Sequence, residues 1–395
     1  MEILDVPMID HEWRLLDLGG LEPFRAQALY EAVAVTVGKG ESPNTLILCN
    51  PAEPYVCIGY HQELEKEIDL DFCQKNNLPI IRRSQGGGAV YLDSNQQFYQ
   101  AVARRDDAVV PTNVERFFEK FLRPTIHACK SLGLPAEYKP INDVVVNNRK
   151  ISGNGAGELD GSTVLVGNII LDFNYESMSR VLKVPSEKFR DKLAKSMSEW
   201  VTSLRRELGT IPPLHQIKQS VIEGYEDIGI KFRTGILSEA EEHIFSCETK
   251  PKHMSQEWLN QTTRRHPALS DTRTVRVNGT REVREATYKA KKMIRVTAEI
   301  ASGRIADILI AGDFFIIPEQ LLPRLERSVL GAMLDPGELE KRIKNFYVET
   351  SLQMPGIEPK DLVDAIMRLK TNSDQLGIFN SLDHYVENEK RNIRV

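Results

Sequence analysis

Three successive glycines stand inside a stretch that otherwise reads as β-strand. Residues 78–93 run Leu-Pro-Ile-Ile-Arg-Arg-Ser-Gln-Gly-Gly-Gly-Ala-Val-Tyr-Leu-Asp. A glycine in a strand interior costs about 0.5–1 kcal/mol relative to alanine. The run therefore needs a reason, either positive φ or close approach of the backbone to another group. Glycine N–H groups can point directly at a phosphate or carboxylate. Arg82 and Arg83 precede the run, and guanidinium forks pair bidentately with phosphate oxygens. The segment reads as an anion cradle. It is not a Walker loop, because no Gly-Lys-Ser/Thr follows, nor a Rossmann fingerprint, because the chain continues as strand. A glycine bulge packed beneath a helix fits the same spacing.

Around this run, strand and helix patterns alternate. Residues 22–37 carry apolar groups at helical spacing, and 45–50 and 55–60 are short apolar runs rich in β-formers. A short helix is expected over 69–76, and a strand over 96–104. Asn113 suits the N-cap of a helix from Val114 to Leu132, ended by Gly133 and Pro135. Residues 143–155 form a hairpin turning at Asn147-Asn148, followed by a strand at 162–173. From 185 to 263 the pattern is mostly helical, with breaks at Gly209 to Pro213 and at Pro251. Residues 262–279 lack a period and suit a linker. A β-meander is expected over 286–314, then helices at 318–331, 336–346 and 359–370, with a polar, frayed tail. The expected division is a catalytic domain at 1–263, a linker at 264–280 and a small α+β domain at 281–395.

With 395 residues, two or three domains are expected. The net charge is −5 and the pI about 6.0, which argues against nucleic acid as a partner. Cys49, Cys57, Cys73, Cys129 and Cys247 lie at no metal-ligand spacing, so a reducing cytoplasm is the expected location. The acidic start MEILDVPMIDHEW is not a signal peptide. No apolar run approaches the roughly 20 residues that span a bilayer, so no membrane association is expected.

A second element reads Asn142-Asp143-Val-Val-Val-Asn-Asn-Arg-Lys150-Ile-Ser-Gly153-Asn154-Gly155. A lone lysine on a hairpin is usually solvated. This one precedes a small, glycine-rich stretch, with Asn142 and Asp143 on the paired strand. Asp and Asn are hard oxygen donors suited to Mg²⁺. A compact ammonium suits a reacting carboxylate and phosphate.

RRSQGGGAVYLD, then NDVVVNNRKISG, then LVGNIILD resemble the lipoate–protein ligase family, in the superfamily shared with biotin ligases and octanoyl transferases. The resemblance covers roughly residues 22–263, including a Gly-x-x-Gln element at Gly59–Gln62. Residues 275–350 resemble the ligases' accessory domain. It implies a mixed, largely antiparallel sheet flanked by helices, a class II synthetase-like α/β catalytic domain, with a small α+β domain behind it. It implies two steps: lipoate, or octanoate, attacks the α-phosphate of ATP to give the acyl-adenylate and pyrophosphate. The ε-amine of an acceptor lysine then displaces AMP.

By the same resemblance, Lys150 matches the lysine that touches acyl carbonyl and phosphate. Arg83, Gln85, Gly86, Gly87, Gly88, Ala89, Asn142, Gly153, Asn154, Gly155 and Gly167 fall at the nucleotide, and Asp143 at Mg²⁺. Gly59, Tyr60, His61, Val90 and Val166 fall along the acyl chain. Val56, Ile58 and Val90 wall an acyl tunnel or fill the core. The implied acceptor is a lipoyl-carrier protein, either a glycine-cleavage H-like protein or a dehydrogenase lipoyl domain, and the chain acts as a monomer. The chain departs from the pattern at Gln85 (Ser or Thr in the family) and Leu92 (His). It also departs at Asn95-Gln96 (Gly-Asn), Gly155 (Ala) and Val166-Gly167-Asn168 (His-Gly-Thr).

Two rivals stand beside the ligase. A transferase moving octanoyl or lipoyl between carriers needs an activated cysteine. Neither 135–150 nor 167–209 contains one, and Cys129 falls on an expected buried helix face. A non-catalytic carrier binder would have no need of Lys150. Biotin ligases resemble Gly-Arg-Gly-Arg at the loop, from which Ser84-Gln85-Gly86-Gly87 departs.

Overall fold

A computed structural model of the chain describes residues 11–264, 266, 269, 276–278 and 281–370. It divides into two compact units, residues 1–260 and 261–395. The strands of the first unit are β1 (His11–Leu21), β2 (Thr45–Pro51), β3 (Tyr55–Ile58), β4 (Ile80–Arg82), β5 (Val90–Leu92), β6 (Gln96–Arg104), β7 (Ala136–Lys139), β8 (Asp143–Val146), β9 (Arg149–Leu159), β10 (Ser162–Ile170) and β11 (Ile230–Thr234). Its helices are α1 (Pro23–Gly38), α2 (Leu64–Glu67), α3 (Leu70–Lys75), α4 (Val114–Phe121), α5 (Arg123–Ser131), α6 (Tyr175–Val181), α7 (Glu187–Trp200), α8 (Leu204–Leu208), α9 (Leu214–Glu226), α10 (Glu239–Ile244), α11 (Lys250–Met254) and α12 (Gln256–Leu259).

Eight strands form the main sheet in the order β11-β1-β2-β6-β10-β9-β8-β7. Only β1 runs parallel to its neighbours, β11 and β2; the rest is antiparallel. This is the mixed, largely antiparallel α/β architecture expected. A small sheet, β4-β3-β5, carries the glycine run in the loop between its edge strands. Helix α1 starts at Pro23, where a missing N–H costs nothing, and Glu22 accepts from the Phe24 amide. Its Ala26, Tyr30, Val33 and Val37 pack with Ile47, Phe98, Val102 and Val164 of the main sheet and with Cys57, Ile81 and Leu92 of the small one. Helix α5 covers the opposite face of the main sheet, where Thr125 and Cys129 lie beside the Tyr99 hydroxyl.

Some expectations need correction. The helix expected over 114–132 is two, broken at Leu122, because the Pro124 ring and its missing N–H interrupt an α-helical ladder. The stretch read as helical from 185 to 263 contains strand β11, in which only Ile230 is buried; one buried residue leaves no alternation to read. Strands β1 and β7 lie where no strand is expected from the sequence.

The second unit opens with α13 (Gln261–Arg264) and has one antiparallel sheet, β12 (Arg276–Asn278), β13 (Arg281–Lys289), β14 (Met293–Ala301) and β15 (Arg304–Gly312). α14 (Leu322–Ser328), α15 (Pro336–Thr350) and α16 (Pro359–Met367) follow. Ile294, Val296, Ile308 and Ile310 form its core with Leu325, Ile343 and Ile366. β12 lies inside the expected linker, whose other positions fall mostly outside the described residues, as does the tail after 370.

Candidate active site

The two arginines before the glycine run face inward. Arg82 is fully buried, and its Nη1 donates to the carbonyls of Gly59, Tyr60 and Gln62 at 2.8–2.9 Å. Its Nε and Nη2 donate to Leu259 O at 2.9 and 2.7 Å. Arg82 is thus a brace rather than half of an anion clamp. Arg83 donates from Nε and Nη2 to Gly86 O at 3.0 and 2.8 Å, and from Nη2 to Gly88 O at 2.8 Å. It curls the loop around its own guanidinium. Gly59 is required where this loop passes the end of β3: a Cβ there would meet Gly87 O at 1.8 Å. Gly87 itself takes φ +93°.

Beneath the loop lies a buried ionic knot. Glu31 of α1 accepts from Ser84 Oγ at 2.6 Å, pairs with His253 Nε2 at 2.8 Å and with Lys252 Nζ at 2.7 Å. Burial alone would raise the Glu31 pKa, but His253 and Lys252 outweigh it and hold the carboxyl down at about 2. Lys252 lies 4.0 Å over the Trp258 ring, and Trp258 Nε1 donates to Arg82 O at 2.9 Å. Residues 252–259 are therefore stitched to residues 82–84.

Side-chain alternation along β9 divides the rest of the expected site between two faces. Tyr99, Ser152, Asn154 and Gly167 share one. The Tyr99 hydroxyl bonds Ser152 Oγ at 3.0 Å and Asn154 Oδ1 at 2.5 Å. Asn154 Nδ2 donates to Asn142 O at 3.0 Å, and Asn142 Nδ2 returns a bond to Asn154 O at 2.5 Å. A Cβ on Gly167 would come within 2.2 Å of Asn154 Oδ1 and 2.5 Å of the Tyr99 ring. Asn142, Asn154 and Gly167, expected at the nucleotide, thus form a clasp under α5. Gln85 is likewise fully buried, with Oε1 accepting from Tyr30 at 2.8 Å.

The other face holds Asp143, Gly153, Gly155, Val166, Asn168 and Gln96, by the registers Asp143↔Gly153, Val166↔Gly155 and Ile170↔Gln96. Strict alternation would put Lys150 with Ser152 on the wrong side. Ile151 is an extra residue, because Val144 faces Ser152 while Val145 faces Lys150. This bulge re-aims Lys150, as bulges do beside active sites. The lysine stem runs across Gly153, where a Cβ would stand 3.3 Å from Cε and 3.6 Å from Nζ. Nζ pairs with Asp143 Oδ1 at 2.6 Å, both side chains about one-third exposed. The result is a partly exposed ammonium–carboxylate pair with glycine beneath the lysine stem.

Of the residues expected along the acyl chain, Val90 and Val166 pack on the same cluster as Phe98 and Val164. Ile58 and Val56 belong to a second cluster, with Ala89 against it. His61 is buried, 4.9 Å edge-on from Tyr60, which lies 5.7 Å from Trp258. Cys49, Cys57, Cys73 and Cys129 are buried, and burial pushes the thiols of Cys49 and Cys129 up to about 12. Among the described residues no group of three or more His, Cys, Asp or Glu could hold a metal by itself, and no helix is long and apolar enough to cross a membrane. Gln96, Asn168, Glu31, Lys252 and Trp258 were absent from the expected site. The first two stand out in the sequence only as departures, and the rest are far from any motif.

A largely antiparallel sheet flanked by helices gives the first unit a class II synthetase-like architecture, with Lys150 beside the bulge at Ile151. The chain belongs to the lipoyl protein ligase A/B catalytic domain family, whose model matches residues 22–226. The octanoyltransferase LipM of Moorella thermoacetica is 27% identical over 269 residues, covering 63% of this chain and 98% of that protein. The bi-partite lipoate protein ligase from Thermoplasma acidophilum, analysed with its E2 lipoyl domain, is 28% identical with TM-score 0.56, covering 67% of this chain and 99% of that one. Lipoate-protein ligase A bound with ATP is 25% identical with TM-score 0.52, covering 62% and 98%.

Proposed function

We propose that the chain is an ATP-dependent lipoate–protein ligase. Lipoate or octanoate would be activated to the acyl-adenylate and then passed to a lysine of a lipoyl-carrier protein. The observation that carries this reading is the Lys150–Asp143 pair at 2.6 Å, with glycine beneath the lysine stem. In the first step the acyl carboxylate oxygen bonds to the α-phosphorus of ATP while the bond to pyrophosphate breaks. Two unit charges about 4 Å apart repel by roughly 4 kcal/mol at an effective dielectric near 20. The Lys150 ammonium offsets that repulsion, and donors aimed at developing charge are often the largest catalytic contribution. The backbone amides of Gly86, Gly87, Gly88 and Ala89 serve the phosphates, with Arg83 shaping their loop. Mg²⁺ commonly takes one or two carboxylates, with phosphates and water completing its shell. Asp143 suits that role and would carry the ion that neutralises the triphosphate.

The rival is octanoyl transfer through a cysteine thioester, the activity for which the Moorella relative is named. Four of the five cysteines are buried, and none lies in 135–150 or 167–209. That relative matches over 98% of its length within 63% of this chain, which leaves over a third of this chain without a counterpart in it. A ligase built in two parts supports residues 1–263 as catalytic and 281–395 as accessory. The test is exchange of labelled pyrophosphate into ATP. Exchange should require lipoate or octanoate and fall about a hundredfold or more in Lys150→Ala. Acyl transfer from an acylated carrier without ATP, and no exchange, would establish the transferase instead.

A further inference from the structure

Asn168 and Gln96 sit on the Lys150 face of the sheet and are bonded to each other. Asn168 Nδ2 donates to Gln96 Oε1, and Asn168 Oδ1 accepts from the Gly153 amide at 2.9 Å. The backbone ladder between β9 and β10 is paired as far as Gly167↔Asn154. The Asn168 side chain thus supplies the acceptor for the next amide, at the residue the lysine stem crosses. Gln96 is buried, 3% exposed, and lies diagonally from Asn168 across the β6–β10 pair, because Phe98 is the direct partner of Asn168. Diagonal neighbours of this kind are within reach of long side chains. A Cβ at Gly153 would touch both Lys150 Cε, at 3.3 Å, and Asn168 Oδ1, at 3.5 Å. The lysine stem and the asparagine oxygen therefore both stand beside the Gly153 backbone.

We infer that Asn168, oriented by Gln96, is a positioning residue that sets the Gly153 backbone and so the placement of the Lys150 ammonium. It acts through Gly153 and Lys150 and touches no reacting atom. An asparagine amide has one acceptor and one donor end, and the Gln96 carbonyl fixes which end meets Gly153. Without Gln96, Asn168 can turn over and present an N–H to the Gly153 N–H. The two side chains form a single device in which the second matters only through the first. The charged partner facing Lys150 remains Asp143, so removal of Asn168 changes where the ammonium stands and leaves its counter-ion in place.

The inference rests on Lys150 being the site lysine, and its test has two arms that fail separately. In the first, lipoyl-AMP formation is followed in Asn168→Ala, Gln96→Ala and the double variant. A misplacement of about 1 Å can cost up to a hundredfold. Asn168→Ala should therefore lower kcat about tenfold or more with the lipoate KM nearly unchanged, and the double variant should be no worse. In the second, the folded proteins are labelled with trace acetic anhydride, and the Lys150 rate is read by mass spectrometry against Lys344 on α15. Lys150 should change several-fold in Asn168→Ala and in Gln96→Ala, with Lys344 constant. Should Asn168→Ala not fold, Gln96→Ala carries both arms. Unchanged Lys150 labelling in the folded variants would overturn the inference, as would singles whose losses multiply in the double. A wild-type protein that makes no lipoyl-AMP would overturn the ligase reading alone, because the labelling arm does not depend on adenylation.

Discussion

Three glycines of the expected site look alike in the sequence and differ in what a methyl group would do. Gly153 lies under the lysine stem, with neighbours at 3.3 to 3.6 Å. Gly153→Ala should fold normally, with little change in its urea midpoint, and lose catalytic rate as the stem is displaced. Gly167 is walled by Asn154 and Tyr99 at 2.2 to 2.5 Å. Overpacking of this kind costs about 1–3 kcal/mol, so Gly167→Ala should shift the urea midpoint down by that equivalent. Gly59 meets backbone, Gly87 O at 1.8 Å, and has no side chain that can give way. Glu31 offers a different reading at this scale. Its folded pKa, about 2 against an ordinary 4.5, means the folded protein binds fewer protons there. Its contribution is complete above about pH 4.5 and is lost as pH falls toward 2. Glu31→Gln should flatten the stability–pH curve in that window, measured by thermal melts. Glu31→Ala, which strands Lys252 and His253, should cost roughly 3–5 kcal/mol. The residue types of the site were legible in the sequence: lysine, aspartate, glycines. Which of them share a face was not, because one inserted residue, Ile151, reverses the side on which Lys150 emerges.

Elements were legible where the pattern was long. The hairpin at Asn147-Asn148 takes φ of 51° and 61°, as a tight two-residue turn demands, and the meander of β13 to β15 follows its alternation. β11 was not legible because a single buried residue carries no period, and the α4–α5 break depends on one proline. The stitch between α11–α12 and the loop root lay beyond sequence reading altogether, since Arg82 and Leu259 are 177 positions apart. Its consequence can be measured. Trp258→Ala removes the bond to Arg82 O and the ring beneath Lys252. It should loosen the glycine loop, seen as faster amide exchange at Gly86 to Gly88, while exchange in β6 and β10 stays slow. Equal acceleration throughout the first unit would mean that Trp258 merely stabilises the fold.

At the scale of the whole molecule, the main core clusters of the two units, among the described residues, are built from separate sets of residues. If the second unit assists activation, a chain without residues 261–395 should lose lipoyl-AMP formation more than transfer from supplied lipoyl-AMP. Equal loss in both steps would remove that role. Chain length and the ordered motifs lead to an expected division at 264–280. The cut between residues 260 and 261 follows directly on the stitched segment, which no composition shift marks.

That stitching also has a bearing on birth order. During synthesis Arg82 emerges 177 residues ahead of the carbonyl that receives two of its N–H groups. At about 5–20 residues per second, the wait is on the order of ten to thirty-five seconds. Strands β5 to β11 emerge within it, while the root of the glycine loop still lacks its lid of helices. A ribosome stalled short of Leu259 would hold a chain whose Arg82 still lacks that carbonyl.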